Sequence, residues 1–379
     1  MWEGDDSLAW TTLARAPGLD ATVLARALEI LGQPSALIGA APAEYERAGI
    51  AGPARAFLAG AAAIAGLAER RWLDSPHHYV VPFNDAHYPL LLRSLPHCPL
   101  VLYVCGRLDA LSDPQLAIVG SRNPTRQGRD TAFDFAQYLA QRGLGITSGL
   151  AEGIDTWAHR GALEGQGITL GVLGTGIDQT YPPGNAHLHR EIRLQGALIS
   201  EFPLGTPPRR SNFPQRNRLI AALSLGTLVV EAARRSGSLI TARLANAYGR
   251  DVFAVPGSIH NPLSRGCHEL IKSGATLVET ADDILSELNF SAFFSSDFPA
   301  SPAGSKQPPP TSGMDKDHKI LLDALGFDPV DLDTLVVRTG FKPEAVSSMV
   351  LILELEGHVQ AAPGGRYSRV AYRRAGGER

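Results

Sequence analysis

The segment 209–220, RRSNFPQRNRLI, sets Arg209, Arg210, Arg216 and Arg218 around Phe213. A guanidinium fork matches the geometry of a phosphate. An exposed ring stacks an unpaired base, a contact contributing about 1–3 kcal/mol. The bland alternative buries Phe213 in the core and pairs Arg216 or Arg218 with Glu231. Both readings stand on the sequence. Further small or charged groups follow short apolar runs. Gly120, Ser121 and Arg122 follow one, Ser148, Gly149 and Gly153 a second, and Gly174 and Gly176 a third. Ser236, Gly237 and Ser238 come after a fourth. Glycine admits an anion close to the backbone, and free amides and hydroxyls at the next helix start donate to it. The alternatives are local: Ser238 as a helix cap, Asp155 as a cap or a brace for an arginine, His159 as a packing residue.

Charge supports an anion partner locally, although the whole chain carries a net charge of −3. Between residues 205 and 250 there are eight arginines and one acid, Glu231. Distribution matters more than the sum. A dinucleotide cofactor is not expected, because Gly174-Thr175-Gly176 lacks the third glycine of that fingerprint. Nor is a metal: the three cysteines, Cys98, Cys105 and Cys267, have no ligand spacing. Sparse cysteines, an acidic start and no apolar run of membrane-spanning length point to a cytoplasmic protein without a membrane span.

The elements that must position these groups fall into an order. Residues 1–76 read as short helices broken by glycine turns, a small domain like sterile-alpha-motif or helix-hairpin-helix modules. Within it 20–31 is helical, with Gly32 as its stop, a second helix starts at Pro42, and 54–71 forms another. Residues 77–288 alternate apolar runs at 116–119, 145–147, 169–173, 228–230 and 252–255 with amphipathic segments. That pattern predicts an α/β, Rossmann-like domain with a parallel sheet buried on both faces. Ligands of such sheets sit beyond the carboxyl ends of the strands, where every motif above lies. Residues 289–314 read as a Pro/Ser-rich linker. Residues 315–379 read as a winged helix, with helices at 319–325, 331–339 and 343–357 and a wing at 359–368. Its third helix has one nearby cation, Lys342, and carries Glu344, Glu354 and Glu356, which disfavours base reading.

Assembled, the runs GSR, SGLAEGID, GTGIDQTYPPGN, SEFPLG, NFPQRNRLIAALS, VVEAARRSGSLITA, GRDVFAVPG and GCHELIKSGA, in this order over residues 82–285, resemble the DNA processing protein A family, DprA or Smf. One departure is His268, where the family usually has Asn. The resemblance implies a non-enzymatic protein that binds incoming single-stranded DNA in natural transformation, protects it and helps load the RecA recombinase. It also implies a homodimer formed through the Rossmann-like domain, Arg122 in the DNA pocket and Phe213 in the segment approaching the bases. The residues proposed for single-strand or phosphate contact are Gly120, Ser121, Arg122, Ser148, Gly149, Gly153, Gly174, Gly176, Arg210, Phe213, Arg216, Asn217, Arg218, Ser236, Gly237 and Ser238. Two rivals remain. One is a nucleotide-cleaving phosphoribohydrolase-like enzyme using Glu231, although 224–227 lacks the double glycine of that motif. The other is a duplex-DNA regulator working through the winged helix.

Overall fold

A computed structural model of the chain describes residues 4–61, 67–290, 315–327 and 329–370. Runs of Val, Ile and Leu form a nine-stranded sheet: β1 His78–Pro82, β2 Val101–Gly106, β3 Gln115–Val119, β4 Gly145–Ser148, β5 Thr169–Val172, β6 Ala197–Ser200, β7 Gly226–Val229, β8 Asp251–Ala254 and β9 Thr276–Leu277. Their order across the sheet is β1-β2-β6-β5-β4-β3-β7-β8-β9. Only β2 runs against the rest, pairing antiparallel with both β1 and β6. From β3 the chain winds outward to β4, β5 and β6 on one side and to β7, β8 and β9 on the other. The strand order therefore reverses between β3 and β7.

Both faces of the sheet are covered, as nearly continuous apolar strands require. In β3 the alternation is explicit: Ala117 and Val119 join one core, while Leu116 and Ile118 join the core on the opposite face. Helix Arg126–Gln141 covers the second face with Ala132, Phe135, Ala136 and Leu139. Its start is fixed by Thr125, whose hydroxyl accepts from the Gly128 amide at 3.0 Å.

The front helices follow local signals closely. Helix Ala21–Leu31 is capped by Asp20, which accepts from Val23 N at 2.9 Å, and it ends at Gly32 with φ of 82°. The next begins at Pro42. The expected helix 54–71 is described as Gly52–Gly60 and Leu67–Leu73, with 62–66 outside the described residues. Packing runs across the division expected at 76/77. Trp10, Leu13, Leu24 and Leu58 share one apolar cluster with Val101, Tyr103, Leu173 and Leu198. Residues 4–290 accordingly form one compact unit. The odd-numbered residues of β2 face these helices and the even-numbered ones face the other core, which explains why that strand is wholly buried.

The linker expected at 289–314 lies outside the described residues except for Asn289 and Phe290. The C-terminal unit has helices Lys316–Leu325, Leu332–Thr339 and Pro343–Leu355, and a three-stranded sheet of Val330–Asp331, Arg366–Arg369 and Val359–Ala362. Leu321, Leu335, Val346, Val350 and Leu353 fill its core. This is a winged helix. The exposed face of its third helix carries Leu351 and Leu355, which are 55% and 81% exposed, instead of the cations and amides a base-reading face presents.

Candidate nucleic-acid interface

The crevice between β3 and β7, where an open sheet ordinarily takes its ligand, is closed from within. Glu231 follows β7 and turns its carboxylate onto the start of helix Arg126–Gln141. One oxygen accepts from Thr125 N at 2.9 Å, the other from the Thr125 hydroxyl at 2.6 Å. A Cβ on Gly128 would lie 2.5 Å from the same carboxylate. The anion-seeking N-terminus of this helix is thus satisfied by the protein's own acid. Gly120 and Ser121, expected as an anion cradle, make contacts of their own within the protein. Gly120 packs against Ile154, the Ser121 hydroxyl accepts from Asn123 N at 3.2 Å, and the Ser121 carbonyl accepts from Ile154 N at 3.1 Å.

An open pocket of about 90 Å³ lies instead over the ends of β3, β4 and β5. Phe213 forms one wall, with the Arg122 guanidinium carbon 5.7 Å from its ring centroid and the Tyr181 ring 5.7 Å away, tilted by 37°. Arg122 is exposed and Tyr181 is 38% exposed. Polar side chains hold the loops in register. Asn212 Nδ2 donates to Gly174 O at 3.1 Å, which fixes the start of helix Asn212–Leu223 and with it Phe213. Asn185 Nδ2 donates to Leu150 O at 2.8 Å and to the Thr156 hydroxyl at 3.0 Å, which ties the Tyr181 loop to the β4 loop. Two close approaches demand glycine. A Cβ at Gly174 would meet Phe213 Cδ1 at 2.8 Å, and one at Gly149 would meet the Arg216 guanidinium at 2.3 Å.

Arg216 lies at the pocket floor, only 4% exposed. Its Nη1 donates to Gly149 O at 2.6 Å and also to Val172 O. Burial pulls its pKa down to about 10, with nearby Asp155 acting the other way and Arg122 reinforcing the fall. Asp155 accepts from Gly149 N at 3.1 Å and Ala151 N at 3.4 Å, and burial raises its pKa against the pull of Arg216. The floor therefore holds a fixed positive charge facing a buried acid, and Arg122 stands above it in solvent. An anion entering the mouth would relieve the repulsion between the two guanidinium groups.

Against known proteins, the model of the family DNA recombination-mediator protein A matches residues 79–289, more than half of the chain. The chain belongs to this family, DprA or Smf. A DprA winged-helix model matches residues 305–365. Protein Smf of Escherichia coli (strain K12) is 44% identical over 295 residues, 78% of each chain. DNA processing protein DprA of Streptococcus pneumoniae is 46% identical over 206 residues, 54% of this chain and 73% of that one. The X-ray structure of S. pneumoniae DprA aligns with a TM-score of 0.64 at 36% identity, covering 76% of this chain and 99% of that one. A Helicobacter pylori DNA processing protein A, solved for its single-stranded DNA binding mode, aligns with a TM-score of 0.52 at 30% identity, covering 57% and 98%.

Of the residues singled out in the sequence, this DprA-family fold gathers Arg122, Gly149, Gly174, Phe213 and Arg216 around one pocket. Others also make contacts within the protein. Arg216 lines the pocket at 4% exposure while its Nη1 donates to two backbone carbonyls. Arg218 pairs with Glu201, not Glu231, and also donates to His97 O at 3.1 Å. Ser148 is fully buried and donates to Ile118 O at 2.6 Å. Gly176 anchors a turn by donating to Thr206 O at 2.9 Å. Gly153, with φ of 88°, passes the carbonyls of Ser121 and Arg122 too closely for any Cβ. Ser236 and Ser238 hydrogen-bond each other at 2.7 Å beside exposed Gly237, in the loop beyond β7, the strand next to β3. Arg210 is exposed just before the Phe213 helix, and Asn217 is half-buried on it.

His159 is fully buried, with Nδ1 donating to the Thr169 hydroxyl at 2.7 Å, and burial pushes its pKa to about 3. It is a packing residue. His268 reaches Gly257 O at 2.9 Å through Nε2, bracing a loop. The sequence reading missed Tyr181 as a second ring and Asn185 and Asn212 as loop pins. All three lie inside the quoted runs, yet none carries charge, the signal being followed.

Proposed function

We propose that the chain binds single-stranded DNA at the β3–β5 edge, with Phe213 stacking a base and Arg122 taking a phosphate. It protects incoming DNA in natural transformation and hands it to the RecA recombinase, as a cytoplasmic homodimer with no catalytic step of its own. The observation carrying this reading is the Phe213 ring, half-exposed between a guanidinium with no ion pair among the described residues and a second aromatic ring at one pocket. Base stacking needs unpaired nucleotides, so the geometry favours single strands over duplex. The family's DNA-processing role and the single-strand binding of the H. pylori relative support it.

The nucleotide-cleaving alternative loses its acid, since both Glu231 oxygens are engaged by Thr125. The duplex-regulator alternative is weakened by the apolar exposed face of the third winged helix. By this reading residues 77–288 carry the DNA contacts and 315–379 are auxiliary, so truncation after 288 leaves single-strand binding in place.

Gel shifts with single- and double-stranded oligonucleotides test the proposal. Wild type should prefer single strands. Arg122→Ala should weaken binding and lower the slope of log K against log salt by about 0.7, the value for one phosphate on a single strand. Phe213→Ala should weaken binding with the slope unchanged. Equal loss of slope in both variants, or equal affinity for duplex, would refute the assignment.

A further inference from the structure

A second cavity, of about 570 Å³, lies across the loop that carries Tyr181. Thr180 lines this cavity and Tyr181 lines the first, so one peptide unit, about 3.8 Å of chain, separates the two linings. One wall is the face of helix Ala186–Gln195 that bears His189, Arg190 and Arg193. His189 Nε2 lies 3.3 Å from Tyr181 O, which couples this helix to the shared loop.

The cavity sets two arginines against one carboxylate, that of Asp178. Among the described residues neither Arg190 nor Arg193 pairs with a carboxylate, and both are exposed. Arg193 is nevertheless held in place. Its Nη2 donates to His78 Nε2 at 3.0 Å, and His78 Nδ1 donates to Trp72 O at 2.8 Å. The His78 ring also stacks on Trp72, with centroids 4.5 Å apart and planes at 18°. A ring that donates from one nitrogen and accepts from a guanidinium at the other is neutral. It therefore orients Arg193 without cancelling its charge. The acid at the rim, Asp178, has its oxygens engaged by Gly205 N at 2.9 and 3.1 Å and by Gln179 Nε2 at 2.7 Å. What remains is a roomy cavity with one oriented arginine, a second arginine three residues away on the same helix face, and an apolar floor.

We propose that this cavity is a second phosphate site, taking a backbone phosphate of the strand whose base stacks on Phe213. The inference rests on the single-strand reading above. A strand crossing the Tyr181 loop passes from the first cavity to the second, and the oriented guanidinium forms the two-point contact a phosphate offers.

The test uses the full chain, with fluorescence anisotropy of labelled thymidine oligomers across a salt series, comparing wild type with Arg190→Ala/Arg193→Ala. A thymidine mononucleotide reaches only the Phe213 pocket; a long oligomer spans both. The double variant should bind the mononucleotide as wild type does. For the long oligomer it should lose affinity, and its salt slope should fall by about 0.7–1.4, one or two phosphates. Arg193→Lys, which keeps the charge, should retain most of the slope. An unchanged slope for the long oligomer in the double variant overturns the proposal. So does inorganic phosphate binding, read by calorimetry, that vanishes in the variant while the long oligomer is unaffected, because the site would then serve a free anion. Failure of wild type to bind the long oligomer would instead remove the single-strand reading itself, a result distinct from both.

Discussion

Gly174→Ala isolates the Phe213 ring without touching it. The added methyl would lie 2.8 Å from Phe213 Cδ1 and 3.1 Å from Cε1. Carbon atoms in contact sit about 3.5–4.0 Å apart, so something must yield by about 0.7–1.2 Å. The backbone at Gly174 is held by Asn212 Nδ2 at 3.1 Å and lies at the end of buried β5, whereas the ring is half-exposed. The ring yields, moving off the pocket wall and out of its contact with Tyr181. Because the ring moves toward solvent, stability should change by only about 0.5 kcal/mol. Binding should lose part of the stacking contribution of about 1–3 kcal/mol, which is about 5- to 150-fold at its full value. The assay is a double-mutant cycle read by anisotropy with a short thymidine oligomer, with thermal unfolding as the control. If Gly174 acts only through the ring, Gly174→Ala should have no further effect in a Phe213→Ala background. Full additivity of the two losses, or undiminished binding by Gly174→Ala alone, would refute the claim that Phe213 is the stacking wall.

Three further outcomes follow from the buried groups. Arg216→Ala strips the donor from two buried carbonyls and leaves Asp155 with the more weakly acting Arg122 in place of its main cation, so chemical denaturation should show a loss of about 3 kcal/mol or more. Asp155, already raised by burial, then favours its protonated form still more in the folded state; the deficit should shrink as pH falls through the carboxylate range, and a pH-independent deficit would contradict this. His159 titrates near 3 when folded and about 6.5 when unfolded, so only the unfolded chain gains its proton between those values. Its contribution is complete above about pH 6.5 and is lost on acidification by up to about 1.4 kcal/mol per pH unit, a slope that urea titrations should find flattened in His159→Asn. Glu231→Gln weakens the clamp on Thr125 and should cost about 1–3 kcal/mol of stability while single-strand affinity stays within about twofold; abolished DNA binding at unchanged stability would point to a direct role.

Local signals carried the fold further than they carried the charges. The strand ends at Val119, Ser148, Val172, Val229 and Ala254 were readable because each apolar run stops at glycine, serine, proline or a charged residue, and the winged helix because Asp331 and Gly340 mark its second helix. The reversed β2 was not readable, since a strand buried on both faces looks the same in either direction. The arginines are more instructive. Arg216 lies three, four and seven positions before Leu219, Ile220 and Leu223, so helical spacing puts it on the buried stripe of Asn212–Leu223. That periodicity was available in the sequence and outweighs the count of cations. Arg218 could not be resolved the same way, because its partner Glu201 reaches it only through the tertiary fold, as Thr125 reaches Glu231 from 106 residues away. An anion can recruit only those cations that folding has left unpaired. For this chain the relevant number is therefore not the eight arginines between 205 and 250. It is the few guanidinium groups, Arg122 foremost, that stand beside a half-exposed ring and form no ion pair among the described residues.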